Sequence, residues 1–95
     1  MKVLKRNDAL EEFDIEKIKS SILRASESVN EPLNESTVSF IAEQVQKDVF
    51  SKHQDLVVYK DIHFRVVDIL KLTGFPTIAR HYDTSEISRV NQTLE

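Results

Sequence analysis

The sequence predicts an α+β fold that is mostly helical, with an N-terminal β-hairpin lid over a small bundle of about four helices. Three observations carry this. The chain has 95 residues with one Gly and two Pro, so few turns interrupt it. Apolar residues recur at three- and four-residue steps over most of the length, the period of a helix with one buried face. Only the opening stretch departs from that period, where basic and apolar side chains alternate around an Asn-Asp turn.

The hairpin comes first. Lys2 to Lys5 and Ala9 to Phe13 read as short strands, and Arg6-Asn7-Asp8 as their turn. Asn and Asp are the non-glycine residues that best tolerate positive φ. A two-stranded hairpin is marginal in water, so it must pack on something. Asp14 is a good N-cap for a helix opening at Ile15. Ile15, Ile18, Ile22, Ala25 and Val29 then define a first helix over 15–29, stopped by Asn30 and Pro32.

Ser36 reads as the cap of a second helix. Its stripe is Val38, Ile41, Ala42, Val45 and Val49, and it ends near Phe50. The polar residues 51–54 read as a loop, and Leu56 to Tyr59 as a short extended run. Ile62, Val66, Ile69 and Leu70, joined by Phe64 and Val67, give the third helix a wide apolar face. Gly74 ends it as a left-handed cap. Pro76 suits the first turn of a fourth, short helix carrying Ile78, Ala79 and Tyr82. After Asp83 the stripe fades. The expected organisation is one domain over residues 1–83 and a polar, disordered tail over 84–95.

Composition narrows the function classes. The hydrophobic fraction of 40% suits a folded domain. Cysteine is absent, which removes disulfides, thiolate nucleophiles and Cys-based zinc sites. No apolar run approaches transmembrane length, and no signal-peptide core is present, so the expected location is the cytoplasm, with no membrane contact. The formal net charge of -3 argues against a broad nucleic-acid footprint. A recognition helix presenting Lys60, Arg65 and Lys71 would be thin. Lys2, Lys5, Arg6, Lys17, Lys19 and Arg24 nevertheless gather near the N-terminus, where a local positive site can form. No catalytic constellation and no glycine-rich phosphate loop occur, so an enzyme is not expected.

Four pieces, in order, carry a resemblance. They are Val3-x-Lys5-Arg6-Asn7-Asp8-x-x-Glu11-x-Phe13-Asp14-x-x-Lys17-Ile18, then Tyr59-Lys60-Asp61-Ile62-His63, then Gly74-Phe75, then Ile78-Ala79-Arg80. Together they resemble the ATP-cone domain over about residues 1–82. This is the allosteric nucleotide-binding module of ribonucleotide reductases and of their repressor family. Asp8 replaces the family's usual turn Gly. Tyr59 stands where the family has Ser or Thr.

The resemblance implies ATP or dATP as an effector, with Mg as its companion. Lys5 and Arg6 in the turn, and Lys17 in the first turn of the first helix, would hold phosphate. Glu11 and Asp14 would accept from ribose or base, Val3 and Ile18 would sandwich the base, and His63 would reach ribose or phosphate. Plainer readings stand beside these. Lys5 and Arg6 also fit a solvated turn, Glu11 a cross-strand partner of Lys2 or Lys5, and His63 a surface or capping residue.

Two functions are consistent with this pattern. One is a regulatory domain that senses ATP or dATP and controls a partner such as ribonucleotide reductase, or its own self-association, without catalysis. The other is a degenerate cone that keeps the fold as a protein-interaction module without nucleotide. The chain leaves no room for a reductase catalytic domain. It reads as a fragment of a larger protein or a stand-alone cone acting in trans.

Overall fold

Why the hairpin does not stand alone is clear from its neighbours in the computed structural model, which describes residues 1–93, with side chains through Glu86. Strand β1 (Lys2–Leu4) pairs antiparallel with β2 (Leu10–Glu12) and parallel with β3 (Leu56–Val58), giving the order β2-β1-β3. The run at 56–58, expected to be extended, is therefore a third strand. Its pairing joins residues more than fifty positions apart in sequence, which no local pattern encodes. The Lys2 N–H donates to the Asp55 carbonyl at 2.8 Å and sets that register.

Alternation along the strands puts Val3, Glu11 and Val57 in one row. That row faces the helices, and Val57 is buried. Leu10 and Leu56 point the other way and are about half exposed. In the turn the Asn7 Oδ1 accepts from the Ala9 N–H at 3.1 Å, and Asp8 sits at φ 65. Asp here occupies a left-handed conformation that glycine would adopt freely. Phe13 anchors the outgoing strand by packing edge-on against Phe50, with centroids 5.1 Å apart.

Helix α1 (Ile15–Ser28) begins at Asp14, whose Oδ1 accepts from the Glu16 N–H at 3.0 Å. Asn30, at φ 58, closes its far end. Helix α2 (Glu35–Lys52) starts one residue before Ser36, because Asn34 is the cap; its Oδ1 accepts from the Thr37 N–H at 2.8 Å. It runs through Ser51 and Lys52, which the sequence placed in a loop. The Ser51 hydroxyl is satisfied by the Asp48 carbonyl one turn back. Helix α3 (Tyr59–Leu72) follows β3 directly and has no side-chain cap. Gly74, at φ 92, turns the chain into α4 (Pro76–Thr93).

Helix α4 is the main correction. It does not stop near Tyr82 but continues to Thr93, so 84–93 is helix and not a tail. The polar residues that broke the apolar stripe satisfy themselves inside the helix. The Ser85 hydroxyl donates to the His81 carbonyl at 2.8 Å, and the Thr84 hydroxyl reaches the His81 carbonyl at 3.2 Å. Leu94 and Glu95, the end of that expected tail, lie outside the described residues.

The four helices close a ring in which α1 and α3 each pack on α2 and α4. Ile22, Ile41, Val45, Val66, Leu70 and Ile78 fill the ring and are fully buried. Phe64, expected on the inner face of α3, is instead half exposed. Among the described residues no helix is long and apolar enough to cross a membrane.

Candidate functional site: a cavity between the sheet and three helices

Asp14, Lys17, Ser21 and Arg24 are spaced three or four residues apart, so they form one stripe along α1. That stripe is the floor of a cavity of about 230 Å³. The hairpin covers it with Val3, Lys5, Glu11 and Phe13. Tyr59, Ile62 and His63 of α3 and Tyr82 and Glu86 of α4 complete the walls. The volume is close to the lower end of small-molecule sites.

Charge is concentrated at two stations along α1. At the hairpin end the Glu11 carboxylate lies between two ammonium groups. Lys5 donates to its Oε2 at 2.9 Å, and Lys17 pairs with its Oε1. Lys17 is two-thirds exposed and Lys5 about one-third, so water still reaches the pair. Seven residues on, about 10 Å along the helix axis, Arg24 makes a bidentate contact with Glu86 at 2.8 and 3.3 Å. Glu86 holds the Arg24 proton more firmly through that hydrogen bond, which raises the guanidinium pKa further.

Between the stations the walls are aromatic. The ring of His63 stacks on Tyr82 with centroids 5.3 Å apart, and its Nε2 meets the Asp83 Oδ1 at 2.9 Å. The Ser21 hydroxyl donates to the Ile18 carbonyl at 2.8 Å and meets the Tyr82 hydroxyl at 2.9 Å. A serine has one hydroxyl hydrogen, so Tyr82 is the donor in that second bond. Burial pushes the Tyr82 phenol up to about 12. At the sheet's outer edge the Glu12 carboxyl is held below its usual range by Lys2 and then by the terminal amine.

Of the residues the sequence nominated, Val3, Lys5, Glu11, Asp14, Lys17, Ile18 and His63 all line this cavity. Arg6 does not; it lies exposed on the turn. Sequence reasoning missed Ser21, Ile62, Tyr82 and Glu86 as lining residues, and it counted Arg24 only as part of a basic cluster. Ser21 and Arg24 had a usable signal, their helical spacing from Lys17. Glu86 had none, because it fell in the expected tail. Tyr59 lines the cavity as the first residue of α3; the cap position before it is Val58, which has no side-chain acceptor to offer.

A small helical ring and a three-stranded sheet, with a charged, aromatic-walled cavity between them, define a compact α+β domain. Residues 1–84 match the model of the ATP cone domain, and the chain belongs to that family. Over 80 residues, 84% of its length, it is 31% identical to the anaerobic ribonucleoside-triphosphate reductase of Haemophilus influenzae. That match spans 11% of the relative, so the chain corresponds to a small part of that protein.

Proposed function

We propose that this chain is a regulatory domain that binds ATP or dATP, with Mg as the nucleotide's counter-ion, and signals occupancy to a partner without chemistry of its own. The observation that carries this is the convergence of Lys5 and Lys17 on Glu11 at the mouth of the cavity. Two cations from different elements meet there, one from the hairpin and one from the first turn of α1. A triphosphate suits that pair, and the first-turn N–H groups of α1 add a favourable dipole. Val3, Phe13, Ile18 and Tyr59 offer apolar and aromatic surface for a base. Asp14 and Glu11 offer acceptors for ribose or an exocyclic amine. The partner is a ribonucleotide reductase or a second copy of the chain.

Titration of the protein with ATP and with dATP, each with Mg, followed by amide NMR and calorimetry, tests the reading. Saturable shifts at Lys5, Glu11 and Lys17 are expected. Unmoved signals at millimolar nucleotide would overturn it.

One observation favours a second reading, a cone that kept its fold as an interaction module. Lys5, Lys17 and Arg24, the lysines and arginine that line the cavity, already have carboxylate partners within the protein: Lys5 and Lys17 on Glu11, and Arg24 on Glu86. Under that reading the charges hold the hairpin and α4 in place. The same titration then shows no binding, and the domain is retained by a partner protein in the absence of nucleotide.

A further inference from the structure

The second charge station differs from the first in what it ties together. Glu11 holds the hairpin to α1. Glu86 holds α4 to α1, two turns further along the same stripe. Arg24 lines the main cavity, and with Lys17, Ser20 and Glu16 it also lines a shallow groove on the neighbouring surface of α1. Lys17 and Arg24 therefore border both spaces, with the Ser20 and Ser21 hydroxyls between them. Two cations two turns apart along one helix suit a linear polyanion such as a polyphosphate tail.

Helix α4 is anchored unequally. Up to Asp83 it is fixed by the Tyr82–Ser21 and Asp83–His63 hydrogen bonds, and Ile78, Ala79 and Tyr82 are buried. Beyond Asp83, among the described side chains, Glu86 supplies the ion pair that ties α4 to α1. Arg24 is two-fifths exposed while the Glu86 side chain is only one-tenth exposed. Both side chains line the cavity, and the guanidinium is the more exposed of the two. A polyphosphate entering along Lys17 competes directly with Glu86 for Arg24, because the guanidinium fork takes phosphate and carboxylate oxygens in the same bidentate way and the polyphosphate carries the greater charge.

Resting on the nucleotide-binding reading, the geometry points to Arg24 as a second phosphate-binding residue that Glu86 holds in reserve. Nucleotide binding moves Arg24 from Glu86 to the phosphate tail and releases α4 beyond Asp83 from α1. The differential contact of Arg24 in the two states is what lets the ligand shift that equilibrium. A nucleoside diphosphate or triphosphate would do this. A nucleoside would not.

The test uses the whole chain with ATP, adenosine and inorganic tripolyphosphate as probes. It measures affinity by calorimetry and α4 protection by amide hydrogen exchange. In the wild type, ATP and tripolyphosphate should raise exchange in α4 beyond Asp83, and adenosine should not. R24Q should weaken ATP about tenfold or more and leave adenosine unchanged, and R24K should recover much of the loss. R24Q alone strands the buried Glu86, so R24Q/E86Q is the folding control. It should lose ATP affinity like R24Q and show raised α4 exchange without ligand. Equal ATP affinity in the wild type and R24Q/E86Q, or α4 exchange indifferent to ATP, overturns the inference while leaving the nucleotide-binding reading standing. Absence of ATP binding in the wild type overturns both.

Discussion

The Tyr82 phenol donates to the Ser21 hydroxyl at 2.9 Å, joining α4 to α1 sixty-one residues apart. Tyr82 is buried, and desolvation lifts its pKa from 10 to about 12. An unfolded tyrosine titrates near 10, so the folded state binds the phenolic proton more tightly. The contribution is fully present below pH 10 and is lost as pH rises through about 12. Two pKa units correspond to roughly 2–3 kcal/mol. Urea unfolding at pH 8 and near pH 11.5 should show this loss, and Tyr82→Phe should remove the part due to this group. Equal alkaline losses in both proteins would assign the effect elsewhere. At pH 8, Tyr82→Phe should cost about 1 kcal/mol, because Ser21 keeps its bond to the Ile18 carbonyl.

Asp8 and Gly74 both occupy left-handed backbone, at φ 65 and φ 92. They should respond oppositely to substitution. Asp8→Gly removes strain and should change stability by less than about 1 kcal/mol, in the stabilising direction unless unfolded-state entropy cancels it. Gly74→Ala meets no neighbouring atom, so its cost is backbone alone, about 1–2 kcal/mol. Thermal midpoints of the two variants against the wild type decide this.

Lys5 and Lys17 reach the cavity, whereas Arg6 does not. Calorimetric ATP titration of Lys5→Ala, Arg6→Ala and Lys17→Ala should therefore divide them. The two lysine variants should each lose about tenfold in affinity, and Arg6→Ala less than about threefold at physiological salt, since it contributes only a screened, longer-range field. A loss on Arg6→Ala as large as on Lys5→Ala would mean that the turn folds over the ligand.

Ile22 has no exposed surface and sits where α1 meets the rest of the ring. Truncation to Ala should cost between about 2 and 5 kcal/mol. For a domain this small that is a large share of a total near 5 kcal/mol or somewhat above. Chemical denaturation should show a lowered midpoint with an unchanged slope.

The local features of this protein are written in neighbouring residues. Helical periodicity placed four helices, and Asp14, Gly74 and Pro76 marked ends that the structure keeps, because caps and left-handed turns depend on a few adjacent residues. The hairpin was legible for the same reason, and seven of the eight nominated residues line the cavity; all but His63 lie in the opening segment, where the hairpin runs straight into the first turn of α1. Features that depend on distant partners were settled by packing instead. Residues 56–58 became a strand only by pairing with β1. Helix α4 ran on past Asp83, and Glu86 found Arg24 sixty-two residues earlier in the chain. A carboxylate in a polar stretch reads as solvated. It becomes a buried ion-pair partner only once two helices bring a guanidinium to it, and that encounter is set by packing, which no residue's neighbours in sequence record.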